Sequence, residues 1–411
     1  MSETGDKIRS FLGMLGFIAF VASFVFPGVR IAGVPVSISS LLCLLFVPLA
    51  PLAFSRRRGT VIVATLAVLI LLICANALRF GAQVRDVMYL LIPLSSVGAV
   101  AMVKVLADCF GIATLQRWGM GLCLANVCVM LAQAMDLGGV NESLAALWRA
   151  NIAFVASTPE HAEILELTVP IRPPGLFPTG IFASTFIYVV CRSVYLYSGK
   201  AWPLLLALLS IAITANRTLF AIFLVYESFA LLHRYGAVRF VLRGVVATGV
   251  AAALLVLASV VSGELYLFQF LSEEVAGGSI ESSASVVERL KTWELFLAHM
   301  PSHFYFGGFS SAMLAAEDHV FDSEWLLRLL QFGVLGTTCL ALVILVPRSG
   351  KWWSAWNFLF FLAALTAVTT TFATSLVYVV AIAFYKEVVV RIAEFRQPLV
   401  WRQSSMSPTV N

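Results

Sequence analysis

Arg56-Arg57-Arg58-Gly59-Thr60-Val61-Ile62-Val63-Ala64-Thr65-Leu66-Ala67-Val68-Leu69-Ile70-Leu71-Leu72-Ile73-Cys74-Ala75-Asn76-Ala77 decides the fold class. A triplet of arginines opens an apolar run whose polar residues are Thr60, Thr65 and Asn76. A stretch of this length spans the hydrocarbon core of a bilayer as a helix, and basic residues at one end set its direction. The pattern recurs along the chain. Of 411 residues, 60% are hydrophobic and 12% charged, and the mean hydropathy is +0.94. A soluble domain is near half apolar and a quarter charged, so a lipid solvent is expected. Transmembrane β-barrels show short alternating segments, whereas these runs are continuous. The expectation is an all-α polytopic membrane protein, residues 1–411 forming one integral-membrane unit.

Apolar runs place spans near 10–28, 31–54, 59–77, 87–106, 117–135, 176–197, 201–214, 218–232, 244–263, 325–346, 354–371 and 373–386, about twelve in all by the length criterion. The first follows Lys7 and Arg9 and runs on to Pro27 without a convincing cleavage site, so it reads as an uncleaved span. If every segment crosses, Arg56–Arg58, Arg117, Lys200, Arg234, Arg239, Arg243, Arg348 and Lys351 share a side with both termini. That side is expected to be cytoplasmic, as is the tail 387–411. On the opposite side lie two long loops, 136–175 and 264–324, rich in Glu and Asp. Loops of this length are usually functional, which points to an active outer face. The net charge of +5 sits at segment ends and asks for no nucleic-acid partner. The seven cysteines include no CxxC pair and lie mostly within apolar runs, where packing is their expected role.

Two apolar stretches are too long to be one span each. In 202–229 the polar group Thr214, Asn216, Arg217, Thr218 interrupts the run, and Thr369-Thr370-Thr371 does the same in 357–385. Each stretch reads as two short helices meeting at a break, which in the first case sets Arg217 into the outer leaflet.

Three arginines stand on the outer side, where positive charge is otherwise sparse. Arg172 precedes Pro173-Pro174-Gly175, Arg217 lies at the break, and Arg289 opens an amphipathic stretch in the second loop. A guanidinium is always charged and forks onto phosphate oxygens, and one near the membrane core is a functional hypothesis by default. The competing reading is snorkelling or a structural ion pair with a loop carboxylate. Further on, Pro301–Phe309 includes a Gly-Gly turn, and His319, Asp322 and Glu324 lie at the mouth of the next span. Each could accept a proton from a sugar hydroxyl. Asp322 could equally cap the helix. No HExxH, Cys/His cluster, P-loop or dinucleotide fingerprint is present, so neither metal nor cofactor is expected.

In this order and topology the residues resemble the O-antigen polymerase and O-antigen ligase superfamily. The resemblance rests on Arg172–Gly175, on Thr214-Ala215-Asn216-Arg217-Thr218, and on Arg289, Trp293, Pro301 and Phe306-Gly307-Gly308 leading into Asp322-Ser323-Glu324-Trp325-Leu326 and Phe332-Gly333-Val334-Leu335-Gly336. It implies a GT-C-like fold and a metal-independent, inverting glycosyltransferase at the periplasmic face of a bacterial inner membrane. Its donor and acceptor would be polyprenyl-diphosphate-linked glycans, and a flippase and a chain-length regulator would be partners. The family's diphosphate-holding arginines map onto Arg172, Arg217 and Arg289. Ligases of the superfamily show His-Asn where this chain has Asp322-Ser323, which favours a polymerase, with Asp322, Glu324 or His319 as the base. Asn216 also departs from the more usual Ser before the arginine. A ligase, or a transporter of the same lipid-linked oligosaccharide, are the rival expectations.

Overall fold

The computed structural model describes residues 3–25, 28–31, 34–80, 90–155, 162–163, 166, 172–216, 218–228, 230, 284–308, 324–345 and 378–404. The described chain is nearly all helical. In order, α1 (Glu3–Val25) leads to a hairpin of β1 (Gly28–Ile31) and β2 (Val34–Ser37), then to α2 (Ile38–Leu44), α3 (Ala50–Ala53), α4 (Arg56–Phe80), α5 (Leu91–Phe110), α6 (Ile112–Ala134) and α7 (Val140–Val155). After these come α8 (Gly180–Ser198), α9 (Trp202–Ile213) and α10 (Thr218–Ser228). The last three are α11 (Ala284–His303), α12 (Glu324–Leu345) and α13 (Val379–Ser404).

Six of the described helices, α1, α4, α5, α6, α8 and α12, are long and apolar enough to cross a membrane. They coincide with six of the expected spans. α9 and α10 are the expected short pair. The expected spans 244–263 and 354–371, and the break at Thr369–Thr371, lie outside the described residues.

The expected span 31–54 is not one helix. Its first residues pair with Gly28–Ile31 as an antiparallel hairpin, Val29 opposite Val36 and Ile31 opposite Val34. The rest is α2, a 3-10 turn at Val47–Leu49, and α3. Prolines explain the difference. Pro35 favours extended backbone at Val34, while Pro48 and Pro51 sit in the first turns of their short helices, where a missing N–H costs least. Ser37 closes the hairpin by accepting a hydrogen bond from the Ser40 amide at 3.2 Å, the N-cap of α2. The expected first outer loop also holds secondary structure, since α7 lies within it.

The core sits between α1, α5, α6, α8 and α13, where Phe20, Phe24, Phe186 and Phe384 are buried. Phe24 meets Phe186 edge-on at 4.8 Å and Phe20 at 5.3 Å. Helices in lipid gain nothing from hiding apolar surface from one another, so close packing has to hold them. α2 and α5 approach until a Cβ on Gly98 would stand 2.0 Å from the Cys43 carbonyl oxygen. At one end of the bundle Arg9 donates to the Asp108 carbonyl at 2.6 Å. There Lys104 and Arg391 both pair with the Asp108 carboxylate, and Arg391 also reaches Glu387 at 2.8 Å. These contacts tie α1, α5 and α13 together and put the basic residues near both termini at one end. Cys43, Cys123, Cys191 and Cys339 are buried, Cys74 and Cys128 are exposed, and none of the seven is in a disulfide.

α12 is broken at Gly333, whose φ of 65° and ψ of −176° are not helical. A break exposes backbone donors below it and acceptors above it, and hydrocarbon offers no water to satisfy them. The chain after α11 fills both. The amides of Val334 and Leu335 donate to the carbonyls of Phe304 and Tyr305 at 2.7 and 3.3 Å, and the Gly308 amide donates to the Gln331 carbonyl at 3.0 Å. The two backbones touch, so neither tolerates a side chain. A Cβ on Gly307 would lie 2.2 Å from the Gln331 oxygen, and one on Gly333 would lie 2.3 Å from the Tyr305 oxygen. Both glycines also have positive φ. Gly333→Ala is expected to cost at least about 3 kcal/mol, read as a lowered thermal denaturation midpoint in detergent. Gly121→Ala, with nothing within 4 Å of its added carbon, is expected to leave the midpoint close to that of the wild type. Equal midpoints for the two variants contradict the splice.

Candidate functional site

Arg172 is half-buried and enters a segment whose next three residues are buried. Pro173 and Pro174 have no amide hydrogen to satisfy. The following amides are matched one by one. Gly175 donates to Gln133 Oε1 at 2.9 Å, and Gln133 Nε2 donates back to the Gly175 carbonyl at 3.1 Å. Leu176 donates to Asn126 Oδ1 at 3.1 Å, and Phe177 closes a turn onto the Pro174 carbonyl at 3.1 Å. Asn126 Nδ2 in turn holds the Phe24 carbonyl at 3.2 Å, so α6 clamps the loop and the end of α1 with one side chain. Phe177 is fully buried and packs 5.2 Å from Phe186. Thr179 then caps α8, its hydroxyl accepting from the Phe182 amide at 3.3 Å.

The loop and the break between α9 and α10 meet at Gly180 of α8. Gly180 leaves the room for this contact, since an added Cβ would lie 2.9 Å from the Arg172 carbonyl oxygen and 3.0 Å from Thr214 Cγ2. α9 has 12 residues, a rise of about 18 Å, which is short of the roughly 30 Å hydrocarbon core. The chain reverses at Ala215, a non-glycine residue with a φ of 47°, a conformation that costs about 1–2 kcal/mol. Asn216 restarts the helix by accepting from the Leu219 amide at 3.1 Å, and it donates to Ser184 Oγ at 3.1 Å. Near the far end of α10, Glu227 accepts from Tyr188 Oη at 2.8 Å and pairs with Arg192. Arg192 also lies over the rings of Tyr226 and Tyr195 at 4.9 and 5.4 Å. α10 is thus fastened to α8 at both ends.

Arg217 lies outside the described residues, as do His319 and Asp322. The residues flanking Arg217, Asn216 and Thr218, belong to the hinge that meets the Arg172 loop. Arg289 lies in the first half of α11 and Glu324 opens α12. These two helices pack together through Phe296, Leu326, Leu327 and Leu330. The structure therefore forms two sectors. One joins the Arg172 loop to the hinge on α6, α8 and α9. The other joins α11 to α12, which packs on α4 and α5. Among the described residues no three of His, Cys, Asp and Glu gather as a metal site.

Sequence reasoning did not single out five polar residues that this geometry depends on. The paired Asn126 and Gln133, the ion pair Arg192–Glu227 and the buried Arg328 all sit in apolar helices. Arg328 is almost completely buried, donates to Gln331 Oε1 and lies 5.9 Å above the Phe332 ring. The signal for each is an amide or charge inside an apolar run, as in Leu326-Leu327-Arg328-Leu329-Leu330.

No family model matches the chain, and no curated protein or solved structure matches it either.

Gln133→Leu is expected to strand the Gly175 amide and to leave its carbonyl only the long 3.5 Å bond from Trp148 Nε1, at a cost of about 2 kcal/mol. Hydrogen exchange should report it as roughly thirtyfold faster exchange across 175–177. Unchanged exchange would show that Gln133 does not hold the loop.

Proposed function

We propose that this chain is a membrane polymerase that joins oligosaccharide units carried on polyprenyl diphosphate into a surface polysaccharide, such as an O-antigen, capsule or exopolysaccharide. The reading places the reaction at the periplasmic face of a bacterial inner membrane. One observation carries most of its support. The loop bearing Arg172 meets Thr214 at Gly180, beside the strained break at Ala215 that separates two helices each too short to cross the bilayer, and Arg217 follows that break in the sequence. In the proposed reading the guanidinium groups of Arg172 and Arg217 share this break and suit a dianionic group attached to a lipid. Arg289 on α11 is the third member of the proposed set.

In the proposed reaction an acceptor hydroxyl oxygen attacks the anomeric carbon of the donor as the bond to the diphosphate oxygen breaks. The leaving diphosphate takes the bonding electron pair, and the configuration inverts. Guanidinium groups fixed beforehand stabilise the charge building on that oxygen with little reorganisation. The hydroxyl proton passes to Asp322, Glu324 or His319. A carboxylate with an ordinary pKa near 4 is ionised at neutral pH and needs no tuning for this. Because diphosphate leaves readily, the base contributes about tenfold to a thousandfold.

A second reading, transport of the same lipid-linked oligosaccharide, draws support from the broken pair α9–α10 and from the intramembrane Arg192–Glu227 pair, both of which recur in transporters. One assay separates the readings. Purified protein in nanodiscs is incubated with a lipid-linked repeat unit. A ladder of lengthening products is expected, and Arg172→Lys or Arg217→Lys should reduce it about a hundredfold, because a point charge does not reproduce the fork. A single transfer onto a lipid A core would identify a ligase instead. Glycan that is moved but not extended would favour the transporter, and a ladder undiminished in the lysine variants would remove the arginines from the mechanism.

A further inference from the structure

α11 has three faces. At 100° per residue, Thr292, Phe296 and His303 share one sector, and all three are buried. Lys291, Glu294 and Ser302 fall in a second sector, which is exposed and polar. Leu290, Trp293 and Leu297 form a third, and each is more than half exposed. A helix in water has no use for an exposed Leu-Trp-Leu stripe, and α11 is not among the helices apolar enough to span a membrane.

The position of α11 accounts for the stripe. The segment that follows it is spliced into the break of α12, and the Phe306 carbonyl accepts a hydrogen bond from Asn76 Nδ2 at 2.9 Å. Asn76 lies three residues before Arg79, the end of the spanning window of α4. The C-terminal end of α11 is thereby tied to the last turns of the spanning stretch of α4. Tyr305 and Phe306 are exposed there. Aromatic residues at the end of a span form the belt that anchors membrane proteins at headgroup level.

We propose that α11 is an interfacial helix whose occupied surface is the lipid leaflet itself. The Leu290–Trp293–Leu297 stripe is sunk into the boundary between headgroups and acyl chains. The Thr292–Phe296 face rests on α12, and the Lys291–Glu294 face meets water. This placement is independent of the reaction proposed above and requires only that the chain resides in a bilayer.

The test uses full-length protein reconstituted into phosphatidylcholine vesicles with bromine on acyl carbons near the headgroup. The chain has 9 tryptophans, so the emission of Trp293 is taken as the difference between wild type and Trp293→Phe. That difference is expected to fall at least about twofold in brominated lipid and to resist aqueous iodide, as for a side chain buried 5–10 Å into the interface. Leu290→Trp supplies an added emission that should behave alike, and it keeps the test valid if Trp293→Phe fails to fold. Quenching by iodide without quenching by brominated lipid would put the stripe in water and overturn the proposal. Quenching by neither would mean that protein covers it, from this chain or a second copy, and would overturn it equally.

Discussion

Every backbone amide and carbonyl of this chain that leaves a helix inside an apolar solvent has to find a partner within the protein. The rest of the architecture follows from how that demand is met at three interruptions. At Gly333 two stretches of main chain satisfy each other directly. At Pro173–Phe177 the amide side chains of Asn126 and Gln133 stand in for a missing strand or helix. At Ala215–Asn216 a single asparagine caps the new helix and reaches across to Ser184. Each solution consumes a specific residue type, and each brings together segments far apart in sequence.

Interruptions are where a membrane helix bundle can hold a polar ligand, because intact helices present only side chains to it. The Arg172 loop and the α9–α10 hinge are interruptions that meet at Gly180. The backbone strain at Ala215 persists because Asn216 at one end of α10 and the Glu227 pair near the other leave the hinge little freedom. Removing one partner of such a buried ion pair leaves the other uncompensated, which costs more than the pair contributes. Arg192 and Glu227 are therefore coupled to the hinge although neither touches it. The α11–α12 sector is assembled by the same logic, with the glycine splice in place of amide side chains.

Much of the bundle was legible from composition and run length. Six spans and the paired short helices α9 and α10 fall where apolar runs and the Thr214–Thr218 interruption put them. The segment 31–54 was not, because an apolar window does not distinguish a helix from a hairpin followed by short turns. The distinguishing marks were Pro35, Pro48 and Pro51, and their weight depends on what packs beside them. The glycine-rich blocks around Gly307 and Gly333 were visible as motifs, but their mutual contact was not, since a splice between residues 26 positions apart leaves no local pattern. The same holds for Gln133 with Gly175 and for Arg192 with Glu227. Of the residues given chemical roles, Arg172 is placed by the structure beside the hinge, Arg289 and Glu324 are placed on packed helices, and Arg217, His319 and Asp322 fall outside the described residues.

The central claim is that the two arginine-bearing interruptions and α11 serve one diphosphate. The most direct measurement is an experimental structure of the protein in nanodiscs with a short-chain prenyl diphosphate bound. The account predicts the diphosphate at hydrogen-bond distance, about 3 Å, from Arg172 and Arg217, with the guanidinium of Arg289 within about 15 Å of both, a reach set by long side chains around one ligand. A diphosphate bound elsewhere, or the three guanidinium groups on separate surfaces, would contradict it.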